Sequence, residues 1–269
     1  MSCLKPIGIF NTTGRHVVPC GKCAFCLRQK RNEWLIRLYH ESRTQLLPAH
    51  FLTLTYDEKH VPRYKGTRTL WFRHVQLYFK RLRKHKYKLK YVAVGEYGTQ
   101  TQRPHYHVIL WTSAPHDVLA VQWHYGNVHF GQLTPASIAY TLKYIIQPKQ
   151  GDDVTKQRTR AQFSKGLGAS FLTAQTHEYL SGDEENPIFE TRVDGAVRPV
   201  PRYYRRKIYT SYQLGIHRSK QYWRSIKERR TEYKRLMKLG HKDVKAYLRQ
   251  RDRHNAEMVV QKVNFNQTL

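Results

Sequence analysis

Two hydrophobic periods alternate along this chain and predict most of its elements. Between residues 20 and 45, Trp34, Leu35, Leu38 and Tyr39 recur at the 3.6-residue spacing of a helix, and Pro48 stops the run. F-L-T-L-T-Y (51–56) is then a β-rich run of strand length. A basic helix follows over 73–84, with Val75, Tyr78, Phe79 and Leu82 turned inward. Y-V-A-V-G-E-Y (91–97) and R-P-H-Y-H-V-I-L (103–110) predict two strands joined through a hairpin loop at 97–104. G-N-V-H-F-G (126–131) predicts a fourth strand. The helix after it takes Thr134 as N-cap and Pro135 as its first position. Residues 1–19 read as irregular and K-G-T-R (65–68) as a loop.

The order helix, strand, helix, strand, strand, strand, helix predicts an α+β fold. It centres on an antiparallel sheet of split βαβ type, flanked by helices. Residues 150–200 carry few periodic signals, and G-D-D-V-T-K-Q-R-T-R and S-G-D-E-E-N-P read as exposed loops. From Pro201 the chain turns basic: residues 201–254 hold 18 Lys and Arg against 4 Asp and Glu, on a helix ended by Gly240. Three regions are expected: a Cys-rich segment with its helix (1–48), a central domain (49–200) and a basic, largely helical extension (201–269). No internal repeat is visible.

Charge narrows the partner. The 269 residues hold 48 Lys and Arg against 19 Asp and Glu, a net +29, with 19 Tyr and 5 Trp among them. Cations neutralise phosphates and rings stack on bases, so this mixture fits single-stranded nucleic acid. An anionic membrane surface fits less well, because no amphipathic helix sets a clean apolar face beside the basic runs. The N-terminus lacks the apolar core of a signal peptide and no stretch is long enough to span a bilayer, so an intracellular location is expected. Reduced thiols follow from that location, and the clustering of the four cysteines points to metal instead of disulfides.

Candidate chemistry gathers around R-P-H-Y-H. Alternate strand residues share a face, so His105 and His107 point together while Tyr106 points away into the core. Glu96 ends the preceding strand beside them and completes a three-ligand set suited to Mg²⁺, Mn²⁺ or Zn²⁺, with open positions for phosphate oxygens. Two surface histidines and a hairpin glutamate are the alternative. Downstream, Tyr140 and Tyr144 lie four apart on the predicted helix with Lys143 between them. Two phenols on one face, helped by an ammonium or a metal, could serve as nucleophiles on phosphorus; packed aromatic positions are the alternative. Cys20, Cys23 and Cys26 form C-x-x-C-x-x-C, and with Cys3 they match a structural Zn²⁺ site, an iron–sulfur cluster being the second choice. His60, His74, His124, His129 and His177 lack partners at metal spacing, and S-K-G-L-G (164–168) lacks the second half of a phosphate-binding loop.

Taken together these residues resemble a known family. R-P-H-Y-H-V-I-L resembles the HUH motif of rolling-circle replication endonucleases, F-L-T-L-T-Y the strand motif preceding it, and Tyr140-Thr-Leu-Lys-Tyr144 their two-tyrosine motif. V-P-C-G-K-C-A-F-C-L-R-Q-K-R-N-E-W, G-E-Y-G and P-R-Y-Y-R-R-K resemble the replication initiators of microviruses, gokushovirus-type bacteriophages in particular. The resemblance runs from residue 3 to about 207. It implies an HUH endonuclease fold, Mg²⁺ or Mn²⁺ on His105, His107 and Glu96, and nicking of single-stranded phage origin DNA. One tyrosine would take a 5′-phosphotyrosine and leave a 3′-OH for the host polymerase; the second would act when the strand is rejoined. It also implies a host helicase as partner, the bacterial host cytoplasm as location, and DNA contacts from Arg103, Arg202, Arg205, Arg206 and Lys207. A plasmid initiator or transposase of the same chemistry, and a non-catalytic single-strand-binding protein, are the competing expectations.

Overall fold

The structure is a computed structural model that describes residues 3, 5–12, 14–44, 46–98, 100–146 and 154–265. The chain forms two compact units, Lys30–Phe171 on its own and Met1–Gln29 together with Leu172–Leu269. Its first residues form a hairpin of β1 (Ile7–Asn11) and β2 (Gly14–Val18), where an irregular segment was expected. Neither strand alternates cleanly, and Ile9, Phe10 and Val17 stay exposed, so the hydrophobic pattern gave no signal there. Helix α1 (Ala24–Thr44) follows and runs across the boundary between the two units.

Within Lys30–Phe171 the chain continues through β3 (Ala49–Thr55), a small hairpin β4 (Arg63–Tyr64) and β5 (Thr67–Arg68), then α2 (Phe72–Lys84). After these come β6 (Lys90–Tyr97), β7 (Pro104–Trp111), α3 (His116–Val121), β8 (Val128–Gly131), α4 (Pro135–Ile146) and β9 (Ala161–Phe163). Five strands form one sheet in the order β8-β3-β7-β6-β9, with every neighbouring pair antiparallel. The expected α+β layout around a central antiparallel sheet is therefore present.

Both faces of this sheet are covered, which is why β6 and β7 carry nearly unbroken apolar runs. On one face Leu52, Leu54, Ala93, Tyr106, Val108 and Leu110 pack against Val75, Tyr78, Phe79 and Leu82 of α2. The other face joins Val92, Val94, Ile109 and Trp111 to Leu38 of α1 and to Ile138 and Leu142 of α4. The N-terminal turn of α2 is pinned to the sheet by two phenols. Tyr106 Oη accepts from Trp71 N at 2.7 Å and Tyr97 Oη from Leu70 N at 3.0 Å. Gly95 sits opposite Tyr106 because a Cβ there would lie 2.9 Å from both Leu70 and Phe72.

Two expected loops contain tight hairpins instead. Residues 65–68 span the turn between β4 and β5, where Lys65 and Gly66 both take positive φ (47° and 80°), as a two-residue hairpin turn requires. In the other unit, α5 (Ala174–Ser181) precedes a hairpin of β10 (Glu190–Val193) and β11 (Ala196–Pro199). Its turn is Asp194-Gly195, again with positive φ at both residues (50° and 74°), an Asp-Gly signal inside what read as loop.

Basic helices complete that unit: α6 (Arg202–Ile208), α7 (Ser211–Lys238) and α8 (Val244–Phe265). A capping box starts α7, with Thr210 Oγ1 accepting from Gln213 N and Gln213 Oε1 accepting from Thr210 N. The chain leaves the region after α7 through Gly240 in a left-handed conformation (φ 83°), the stop the sequence predicted. No helix among the described residues is long and apolar enough to cross a membrane.

Candidate metal centre and nucleophile

Register builds the centre. A compact loop joins β6 to β7, with Gly98 N donating to Arg103 O (3.0 Å) and Gln102 N to Gly98 O (2.9 Å). Pro104 begins β7, where a missing N–H is tolerated. The loop sets Glu96 directly opposite His105, and places His107 between Val94 and Thr53 of the flanking strands. Directly paired residues share a face. Glu96, His105, His107, Thr53 and Thr55 therefore all lie on the face that α1 and α4 cover farther along.

The expected trio comes together. One Glu96 oxygen, Oε2, lies 3.2 Å from His107 Nε2 and 3.5 Å from His105 Nε2, and the prospective ligand atoms all lie within 4.8 Å of one another. Hydrogen bonds on the far side of each ring orient it. His105 Nδ1 is 3.1 Å from Arg103 O. A carbonyl only accepts, so the proton sits on Nδ1 and the Nε2 lone pair of the neutral ring faces Glu96. Thr53 Oγ1 lies 3.2 Å from His107 Nδ1, and Phe51 stacks over that ring at 6°. Burial opposes a charge on His105, but the Glu96 carboxylate and the Arg103 carbonyl outweigh it, so the ring titrates above the ordinary histidine value. A mixed nitrogen–oxygen set of this size could coordinate a metal ion.

Tyr140 reaches the same carboxylate. Helix α4 starts where Thr134 Oγ1 accepts from Ser137 N at 3.1 Å, the N-cap predicted from the sequence. Ile138 and Leu142 then anchor it on the sheet. Tyr140, on the adjoining side of the helix, donates its hydroxyl to Glu96 Oε2 at 3.0 Å and meets His107 edge-on with ring centroids 5.2 Å apart. Its ring remains 40 % exposed, so a substrate can approach it. Lys143 is half-buried on the same helix. The side chain of Tyr144 lies outside the described residues.

Arg103 is drawn into the scaffold of the site. Its guanidinium donates to Glu58 Oε2 (2.9 Å) and to Tyr56 O (2.8 Å), linking the start of β7 to the end of β3. Glu58 also receives Arg63 (2.7 Å) and Arg68 (3.2 Å), and Arg103, with these two beside it, holds its carboxyl below the usual range. Tyr106 is fully buried on the opposite face, as its spacer position predicted.

Several supporting residues had no obvious mark in the sequence. Thr53 was legible only as a polar position in F-L-T-L-T-Y, and its role follows from pairing with His107. Glu41, on a helix face read as apolar, is fully buried; it takes Lys90 Nζ at 2.7 Å and the Gly168 amide. That contact, with Arg37 donating to Leu167 O at 2.7 Å, holds S-K-G-L-G against α1. In the other unit Arg202, Arg206 and Lys207 are exposed on α6, and Arg205 is half-buried. Along α7, Tyr212, Tyr222 and Trp223 stand exposed among basic residues, an aromatic stripe masked by the strong charge of the segment.

The four cysteines form a second cluster. Cys3, Cys20, Cys23 and Cys26 bring their sulfurs within 4.8 Å of one another, all as free thiols, in an arrangement that could coordinate a metal ion. Backbone amides of Lys22 and Cys23 lower the Cys20 thiol, while burial pushes Cys26 up to about 12.

Comparison with known proteins places these features in context. Residues 49–149 match the replication-associated protein family of the ORF2 type, a span containing Glu96, both histidines and both tyrosines. Replication-associated protein VP4 of Bdellovibrio phage phiMH2K is 29 % identical, over 76 % of each chain. Replication-associated protein ORF2 of Spiroplasma virus 4 is 27 % identical over 73 % of this chain and 69 % of its own. Replication-associated protein ORF4 of Chlamydia phage 1 is 26 % identical over 65 % and 52 %. The chain is thus distantly related to phage replication-associated proteins. No solved structure matches it.

Proposed function

We propose that this chain is an HUH-type rolling-circle replication initiator of the microvirus, gokushovirus-like kind. It would nick single-stranded phage origin DNA through a tyrosine and rejoin the strand later. The observation that carries the proposal is the hydrogen bond from Tyr140 to Glu96 Oε2, the oxygen that also faces Nε2 of His105 and His107. Nucleophile and prospective metal ligands thereby address one point on the protein.

Glu96, His105 and His107 would hold the divalent ion, and the two imidazoles favour Mn²⁺ while still admitting Mg²⁺. When bound, the ion neutralises charge developing on the scissile phosphate. Tyr140 attacks phosphorus through its phenolic oxygen, forming the 5′-phosphotyrosine as the 3′-oxygen departs. Its proton passes to a neighbouring base, for which Glu96 is already the hydrogen-bond acceptor. Lys143 lowers the cost of the phenolate, and Tyr144 performs the second transfer. The bond energy is kept in the phosphotyrosine, so rejoining needs no nucleotide.

Strand capture is assigned to Arg202, Arg205, Arg206 and Lys207, with the α7 aromatics as stacking platforms. Arg103 shapes the centre as well as facing DNA. A nickase domain over 49–200 would be preceded by the Cys-rich segment (1–48) and followed by the basic extension (201–269). Host helicase and polymerase would complete the cycle in the bacterial cytoplasm.

The test is incubation with cognate origin single strands and Mn²⁺, followed by denaturing electrophoresis. The expected product is a protein–DNA adduct that survives detergent and maps to a tyrosine. Retention of the adduct in Tyr140→Phe/Tyr144→Phe overturns the mechanism. Specific binding without cleavage would favour the single-strand-binding alternative.

A further inference from the structure

We propose that Cys3, Cys20, Cys23 and Cys26 bind one zinc ion in a closed tetrahedral site, and that this ion folds the N-terminal hairpin. The inference is independent of the chemistry proposed for Glu96 and the histidines.

Distances identify the kind of centre. Cys3 Sγ and Cys23 Sγ lie 3.8 Å apart, and Cys20 Sγ and Cys26 Sγ 4.0 Å apart. Four thiolates around one Zn²⁺, with bonds of about 2.3 Å, form a tetrahedron whose edges are about 3.8 Å. Disulfides would need contacts of about 2.05 Å. The spacing C-x-x-C-x-x-C also occurs in iron–sulfur proteins, but a cubane cluster puts each cysteine on a separate iron and spreads the sulfurs wider than one shared ion does. All four sulfurs here stay within 4.8 Å.

Backbone amides already point at the sulfurs. Cys20 N donates to Cys3 Sγ at 3.2 Å, and the amides of Cys23 and Lys22 donate to Cys20 Sγ at 3.3 and 3.4 Å. Four thiolates on a divalent ion leave two excess negative charges, which such donors offset. Binding releases the thiol protons to solvent, and no oxidant or reductant is required. Four thiolates select Zn²⁺ over Mg²⁺ and Mn²⁺, so the two clusters are chemically distinct.

The location explains what the ion is for. Cys3 precedes β1 and Cys20 follows β2, while Cys23 and Cys26 flank the start of α1. The site therefore closes the base of a hairpin whose Ile9, Phe10 and Val17 are exposed, 81 % in the case of Phe10. A two-stranded hairpin with so little burial is marginal in water, and a structural metal supplies the missing stability.

The full chain, purified from metal-defined medium, is analysed by elemental mass spectrometry, acid-labile sulfide assay and thiol titration. Expected are one zinc per chain, no sulfide and four protected thiols that react after chelation. Zinc content should persist in His105→Ala/His107→Ala and vanish in Cys20→Ser/Cys23→Ser. Cobalt replacement in the unmutated chain should give the intense visible bands of a tetrahedral thiolate site, which keeps the proposal testable if the serine variant misfolds. Hydrogen exchange over residues 7–18 should accelerate on chelation. Iron with sulfide, four reactive thiols without metal, zinc lost with the histidines, or a hairpin whose exchange ignores chelation would overturn it.

Discussion

Tyr140 and Glu96 come from elements 44 residues apart, yet the phenol donates to the carboxylate at 3.0 Å. The carboxylate therefore has two tasks, accepting from the phenol and serving the metal. Glu96→Gln separates them, because the amide oxygen still accepts from Tyr140 while the negative charge is gone. Mn²⁺ affinity, read by calorimetry, should fall by at least about 10–100-fold, with the fold intact by circular dichroism. Unchanged affinity would remove Glu96 from the ligand set.

Thr53 tests how far ring orientation matters. Its hydroxyl lies 3.2 Å from His107 Nδ1, opposite the nitrogen that faces Glu96. Thr53→Val keeps the β-branched shape and removes the hydrogen-bond partner, so metal affinity should drop roughly 10-fold or more while stability changes little. A loss of stability with normal metal affinity would make Thr53 a packing residue only.

Acidification should weaken the metal centre. His105 titrates above the ordinary histidine value of 6.5, and its Nε2 must be unprotonated to bind an ion. As pH falls through that raised value, protons compete with metal, and affinity should decline by up to about tenfold per pH unit for each proton displaced. Mn²⁺ titrations at a series of pH values check this. A flat profile through the acid range would show that His105 is not a ligand.

The sheet, its two central strands and the metal trio were legible because each rests on short-range order. Val92, Val94, Ile109 and Trp111 advertise strands buried on both faces, and one hairpin loop is enough to put Glu96 opposite His105. What stayed hidden depends on long-range pairing or on very short elements. Thr53 acquires its meaning from β7, more than fifty residues later, and Glu41 from a loop 127 residues away. Lys65-Gly66 and Asp194-Gly195 are turns between strands of two and four residues, too short for a period to register, although their Gly-containing dipeptides carried the signal.

Gly126 is a position that chain geometry reserves. Its φ is +150°, and an added Cβ would fall 2.5 Å from Asp57 N and 2.7 Å from the Tyr56 carbonyl carbon, closer still to Thr55 O. Those backbone atoms cannot yield, because Thr55 N donates to Asn127 O and Asp57 N to Tyr125 O, each at 2.9 Å. Gly126→Ala thus combines an unfavourable backbone conformation with a main-chain collision, and should cost at least about 2 kcal/mol of unfolding free energy. Thr55 is paired with His105, so displacing the end of β3 should also disturb the metal row. Urea unfolding with and without Mn²⁺ tests both halves: the midpoint should fall, and Mn²⁺ should restore less stability than it gives the unmutated chain. A change below about 0.5 kcal/mol would mean that the segment relaxes without strain.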